Sequence, residues 1–331
     1  RGSRLMANTK IPPELVDDQI IGRKNIIING DMKVYQRAQS VTGFTTAYKY
    51  YTADRMRFSS EGGTIGTWNQ EVQTDQNIGD YSNVNVLKTT CTSAGADNKR
   101  GVNYRIEPED IKHMIGKTCT LSFYAKADAT VTQQRELAFI SSGSVASSVD
   151  LGDITLTTSY TKYTATFTMA NCTDYVDMLL RVDGDTETSS YITLIQLELG
   201  SQATPFEFIN LGEQTEQCRR YFQYHEFPDG AAVMNGCLWA STSMYGAYHL
   251  YPKMRVEPTT TISAAATFDV YAPVGQTAHS PDSAAAQNHS NQAVEIYLLR
   301  GSGLGTQGNG VWVRSATSGG AVATFTFDAE L

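Results

Sequence analysis

The stretch NIIINGDMKVYQR at residues 25–37 is answered a short way on by YTADRM at residues 51–56. Its apolar run, Ile26, Ile27 and Ile28, leads into Asn29-Gly30-Asp31. That is turn chemistry, because Asn and Gly accept positive φ and the carboxylate bonds locally. Beyond it, Met32, Val34 and Gln36 alternate with Lys33, Tyr35 and Arg37 at the period of a strand. The residues predict a buried strand, a tight turn and a second strand, with Asp54-Arg55 offering an ion pair beside the sheet. All of them read as scaffold.

Working outward, short alternating runs separated by Thr, Ser, Asn, Asp and Gly clusters recur as in an all-β sandwich. Strands are predicted at residues 57–60, 64–68, 84–87, 102–106, 121–126, 163–168 and 191–199. Residues 108–115 (PEDIKHMI) read as helix, with proline near the start and acids in the first turn. Residues 213–224 form a second helical candidate, with Glu213 and Glu216 ahead of Arg219 and Arg220. Strands resume at residues 231–240, 246–250, 259–263, 266–271, 295–299, 310–314 and 321–327, while residues 273–291 and 301–310 read as long polar and glycine-rich loops. The expected fold class is all-β: a jelly-roll β-sandwich, a short helical connector and a smaller C-terminal β-sandwich. Its divisions are an expression remnant at 1–6, an N-terminal arm at 7–24, the sandwich at 25–211, the connector at 212–225 and the C-terminal sandwich at 226–331.

Bulk properties narrow the function classes. With 26 basic and 34 acidic residues the chain carries a net charge of −8. That disfavours nucleic acid and anionic membrane surfaces as partners, since both need a basic face. No apolar run approaches the length of a membrane span, so no membrane insertion is expected. Cys91, Cys119, Cys172, Cys218 and Cys237 are odd in number and without Cys-x-x-Cys spacing. They read as small buried hydrophobes of a protein made in a reducing cytoplasm.

Motifs for chemistry are scarce. The histidines (His113, His225, His249, His279, His289) have no zinc-hydrolase spacing, and Gly301-Ser302-Gly303-Leu304-Gly305 departs from both the nucleophile elbow and the phosphate loop. Polysaccharide cleavage needs two facing carboxyl groups. The acid clusters on offer are Glu107-Glu109-Asp110 at a helix start and Asp183-Asp185-Glu187 around a turn, and the reading is of a non-enzyme. Asp183, Asp185 and Glu187 form a candidate site for a structural calcium, through carboxylate oxygens. Aromatic side chains are the richer resource, because sugar rings lay their apolar faces on indole and phenol rings. Of Trp68, Trp239 and Trp312, the last two join Tyr245 and Tyr248 as candidate ligand-binding residues, with the two tyrosines converging only around a bend.

The opening pattern, Asn-hydrophobic-hydrophobic-x-Asn-Gly-Asp, then Gln-Arg, then Tyr-x-x-Asp-Arg, resembles the start of jelly-roll modules in bacteriophage tail and tail-fibre proteins. Those modules are similar to carbohydrate-binding modules. Pro205-Phe206-Glu207-Phe208, residues 216–222 (EQCRRYF) and residues 253–259 (KMRVEPT) resemble the module's exit and the domain that often follows. The resemblance implies a virion protein, a tail-fibre or receptor-binding subunit, with other virion proteins and host cell-surface polysaccharide as partners. It also implies a homotrimer, an N-terminal anchoring arm and assembly in a bacterial cytoplasm. The alternative is a capsid-decoration or tail-spacer protein without glycan binding, since one fold hosts both.

Overall fold

The computed structural model describes residues 23–63, 65–95, 99–183, 187–272, 278–317 and 322–331. The expected arm lies outside the described residues, apart from Arg23 and Lys24. The fold is all-β, with antiparallel sheets and few, short helices. Two compact units form. The first holds the described residues up to Met32, with Ser40–Tyr51 and Met56–Phe208; the second holds Lys33–Gln39, Thr52–Arg55 and Ile209–Leu331. Two pieces of the opening stretch, expected within 25–211, thus belong to the second unit.

The first unit runs β1 (Ser40–Phe44), β2 (Lys49–Tyr50), β3 (Arg57–Glu61), β4 (Thr67–Asp75), β5 (Val84–Ser93) and β6 (Lys99–Ile106). After the short helix α1 (Pro108–Ile111) come β7 (Thr118–Ala127), β8 (Val131–Ser141), β9 (Ser144–Asp150) and β10 (Ile154–Leu156). It closes with β11 (Thr161–Thr168), β12 (Tyr175–Asp183) and β13 (Ser189–Leu199). One sheet has the order β1-β4-β5-β13-β7-β11; the other has β10-β8-β12-β6-β3-β2, with β9 on β8. Alternation builds the core: Val102 and Tyr104 on β6, with Met178 and Leu180 on β12, are buried toward it.

The opening stretch differs from expectation in one respect. Its turn forms, with Asn29 at φ 62° and Met32 at φ 55°, but no strand forms on either side. Instead it lies along β13 through isolated bonds, Ile26 N–H to Leu197 O (3.1 Å) and Ile195 N–H to Gly30 O (2.9 Å). The contact falls where β13 bulges between Thr193 and Gln196, with Leu194 at φ 52°. A Cβ at Gly30 would sit 2.2 Å from Ile195 O. Only glycine lets the two backbones meet.

The second unit begins with α2 (Leu211–Arg219), capped by Asn210 Oδ1, which accepts from Glu213 N–H at 2.9 Å. The helical connector expected over 212–225 therefore stops early. Phe222 already opens β14 (Phe222–Phe227), paired along its length with the last strand. There follow β15 (Ala232–Ala240), β16 (Ser243–His249), β17 (Thr259–Ile262), β18 (Phe268–Tyr271), β19 (Ala278–His279) and β20 (Ser283–Gln287). The unit ends with β21 (Ala293–Leu299), β22 (Gly310–Ser315) and β23 (Ala323–Asp328). A three-stranded sheet, β14-β23-β17, and a seven-stranded sheet, β19-β18-β22-β15-β16-β21-β20, share one core, in which Phe325 and Phe327 meet Met244, Phe268, Val270 and Ile296. The polar stretch at 273–291, expected as loop, contains β19 and β20. The alanines of β20 carry little apolar signal, yet Ala284 and Ala286 pack on the core.

Lys33–Gln39 and Thr52–Arg55 bring their charges to the C-terminal end of this same unit. Arg37 lies 3.7 Å from Asp54, 3.1 Å from Asp328 and 3.5 Å from Glu330, while Arg55 pairs closely with Glu330. Both guanidiniums stack on rings, Arg37 over Phe222 at 3.7 Å and Arg55 over Tyr221 at 3.6 Å. Beyond the anticipated neighbours, Asp54 thus meets Arg37, and Arg55 meets a residue far along the chain. Gln36 bonds Asp54 through its backbone N–H (3.1 Å) and side-chain amide (2.6 Å).

Candidate functional site

The seven-stranded sheet of the second unit turns one face to the core and the other outward, and strand alternation assigns each side chain. On β22, Val311 and Val313 are buried while Trp312 is 61% exposed. On β15, Leu238 is buried and Trp239 is 70% exposed. Tyr245 on β16, Tyr297 on β21 and Tyr271 on β18 alternate with the buried Met244, Ile296 and Val270, and are half-buried on the outward side.

Register draws these rings together. Tyr271 stands opposite Trp312, and Trp312 opposite Asn235. One step along β15, Cys237 stands opposite Tyr245, and Tyr245 opposite Tyr297. The Tyr245 ring lies 4.8 Å from that of Tyr297 and meets Trp239 edge-on at 6.3 Å. Arg314 sits 5.0 Å over Tyr271. From β18 to β21 is four strand spacings, roughly 19 Å, which is room for several linked sugar rings. Polar groups flank the rings: Asn235 is exposed, and Gln287 and Asn288 both donate to Glu295 Oε1, at 2.6 and 2.9 Å.

Three of the four ligand residues expected from sequence, Trp239, Tyr245 and Trp312, therefore share this face. Tyr248 does not. Strand β16 is continuous, so residues three apart point to opposite sides, and Tyr248 packs inward. Its ring stacks on Phe327 at 5.7 Å and meets Phe325 edge-on at 4.9 Å. Its hydroxyl lies 2.9 Å from His225 Nδ1, and His225 Nε2 lies 3.1 Å from Gln223 Oε1. A neutral imidazole satisfies both contacts, accepting from Tyr248 and donating to Gln223. Burial holds His225 below its usual pKa and pushes Tyr248 up to about 12. Trp68 is also core, 2% exposed beside Phe58 and under the Arg100 guanidinium.

The sequence reading missed Tyr271 and Tyr297, although each sits in an alternating run that could have flagged it. It also took every cysteine as buried. Cys91, Cys119, Cys172 and Cys218 are, but Cys237 is an exposed free thiol in the middle of the aromatic face. Of the calcium candidates, Asp185 and the Asp183 side chain lie outside the described residues, and Glu187 is exposed. In the acid cluster at α1, Glu109 is tied to Lys112.

No known protein-family profile matches the sequence, and no curated protein sequence matches it. Solved structures do. The enzymatically active domain of tailspike protein 4 of bacteriophage CBA120 matches with 16% identity over 53% of this chain and 21% of its own, at a TM-score of 0.37. The chain thus spans about a fifth of that domain. The CBM22-1 xylan-binding domain of Paenibacillus barcinonensis Xyn10C matches with 14% identity over 50% of this chain and 94% of its own, at a TM-score of 0.32. The tandem CBM22-1–CBM22-2 domains of the same protein match with 12% identity over 87% of this chain and 94% of theirs, at a TM-score of 0.31. All three are distant in sequence and partial in superposition.

Proposed function

We propose that the chain is a non-enzymatic bacteriophage virion component, a tail-fibre or receptor-binding subunit that adheres to host surface polysaccharide. The observation that carries this reading is the outward face of the second unit's seven-stranded sheet, where two well-exposed tryptophans stand among three tyrosines. Aromatic surface left open to water on a rigid sheet marks an interaction site. Rings flanked by amides and a carboxylate suit a sugar chain, whose apolar faces stack while its hydroxyls are bonded at the edges. The sequence resemblance to phage tail modules supplies the virion setting, with other virion proteins as partners and a homotrimer as the assembly. Several copies on one particle give useful avidity from individually weak contacts.

Cys237 makes the face directly testable. In the assembled protein, saturating host polysaccharide should shield this thiol from a maleimide, and labelled protein should bind host cells until that polysaccharide competes it away. Unshielded Cys237 together with no cell binding by folded protein would overturn adhesion in favour of the capsid-decoration or tail-spacer role. A thiol shielded by assembly alone would make the face a subunit contact, which overturns adhesion equally.

A further inference from the structure

The outward face of the second unit's large sheet has a polar end, and the register ties it to the rings. Trp312 stands opposite Tyr271 on one side and Asn235 on the other. Two residues along β16 from Tyr245 comes Ala247, exposed and opposite Glu295, which in turn stands opposite Gln287. Val294 and Ile296 are buried, so Glu295 projects on the same side as Tyr297. From β22 to β21 is three strand spacings, roughly 14 Å. Exposed Asn235 and the small, exposed Ala247 occupy the two strands between. The way from the Trp312 indole to the Glu295 carboxylate is open to water.

Two amides hold that carboxylate in one orientation. Gln287 Nε2 donates to Glu295 Oε1 at 2.6 Å and Asn288 Nδ2 donates to the same oxygen at 2.9 Å. Together they take both lone pairs of Oε1. Oε2 has no hydrogen-bond or ion-pair partner among the described residues, and the side chain is half-buried rather than enclosed. At the ring end, Arg314 stands opposite Asp269, so that cation is answered within the sheet. An ionised carboxylate can only accept, and one fixed at the end of a ring-lined row reads hydrogen-bond donors.

We propose that Glu295 is the specificity-determining residue of this face: Oε2 accepts from hydroxyls of a neutral sugar, and its charge turns away glycans acidic at that position. The proposal rests on the reading of the face as a glycan site, and names the class of glycan. A hydroxyl donating to a carboxylate makes a charge-assisted bond. A uronate carboxylate brought to the same place has no proton to give and adds like-charge repulsion. The net charge of −8 acts in the same sense at longer range. The bound chain then crosses the strands, with apolar faces on Tyr271 and Trp312 and hydroxyls toward β21.

The test is calorimetry on the full chain with neutral oligomers of glucose, mannose and galactose, each against the matching uronate oligomer. At least one neutral oligomer should bind, about tenfold or more tighter than its uronate. Glu295→Gln keeps the shape without the charge. It should weaken that neutral oligomer about tenfold and bring the two affinities within about twofold of each other. A purely structural Glu295 would shift both affinities together and leave their ratio alone. Should Glu295→Gln lower the melting temperature, Glu295→Asp, which draws the charge back, should weaken neutral binding and keep the preference. Trp312→Ala should weaken sugar and uronate alike. Equal binding of the two by the parent protein, or a preference that survives Glu295→Gln, would overturn the role of Glu295 while Trp312→Ala still marks the face as the site. Binding that Trp312→Ala leaves unchanged, or no binding by any oligomer, would overturn the glycan reading of the face and this proposal with it.

Discussion

Trp312 and Tyr248 are both aromatic residues in one sheet, yet substitution should separate them. Trp312 is well exposed, so Trp312→Ala should leave stability within about 0.5 kcal/mol of the parent and weaken polysaccharide binding about three- to tenfold, the value of one aromatic contact. Tyr248 is wedged between Phe325, Phe327 and His225. Tyr248→Ala should cost about 3–5 kcal/mol in denaturant unfolding, and Tyr248→Phe, which loses only the bond to His225, about 1 kcal/mol, with binding unchanged in a folded sample. Gly30 gives a second contrast. Gly30→Ala drives a methyl into the Ile195 carbonyl and should cost about 1–3 kcal/mol. Gly116 has φ 75° but open space around a Cβ, so Gly116→Ala should cost about 1 kcal/mol from backbone strain alone. Equal losses at the two glycines would refute the close-approach account.

At the scale of elements, the segments Lys33–Gln39 and Thr52–Arg55 are irregular, and buried charge fixes them to their unit. Burial raises Asp54 to about 6 from the usual 3.8, against the opposing pull of Arg37 and Gln36. A carboxyl group whose pKa is higher folded than unfolded binds its proton more tightly in the native state. Its contribution to stability is therefore complete below about pH 4 and is lost as pH climbs through 6, an effect of about 2–3 kcal/mol. Unfolding midpoints measured from pH 4 to pH 7 should fall for the parent protein, and the fall should be shallower in Asp54→Asn. In that variant Arg37 keeps Asp328 and Glu330. An identical slope in both proteins would place the titration elsewhere.

At the scale of the whole molecule, adhesion by many weak contacts requires many copies. Light scattering of the assembled protein should give three times the chain mass of 36.2 kDa. Binding to a dense polysaccharide layer should exceed binding to the free oligosaccharide by about a hundredfold or more. A stable monomer at micromolar concentration would rule out the trimer. What the sequence determined by itself is the all-β class, most strand positions and the turn at Asn29-Gly30, because alternation and turn chemistry act between near neighbours. What it left unread were strands without a strong apolar pattern, such as β20. Only the tertiary structure decided that Gln36, Arg37, Asp54 and Arg55 serve the C-terminal unit, and that Tyr248 faces inward. Those outcomes depend on register and on partners as distant as Glu330 is from Arg55, and no local pattern carries that information.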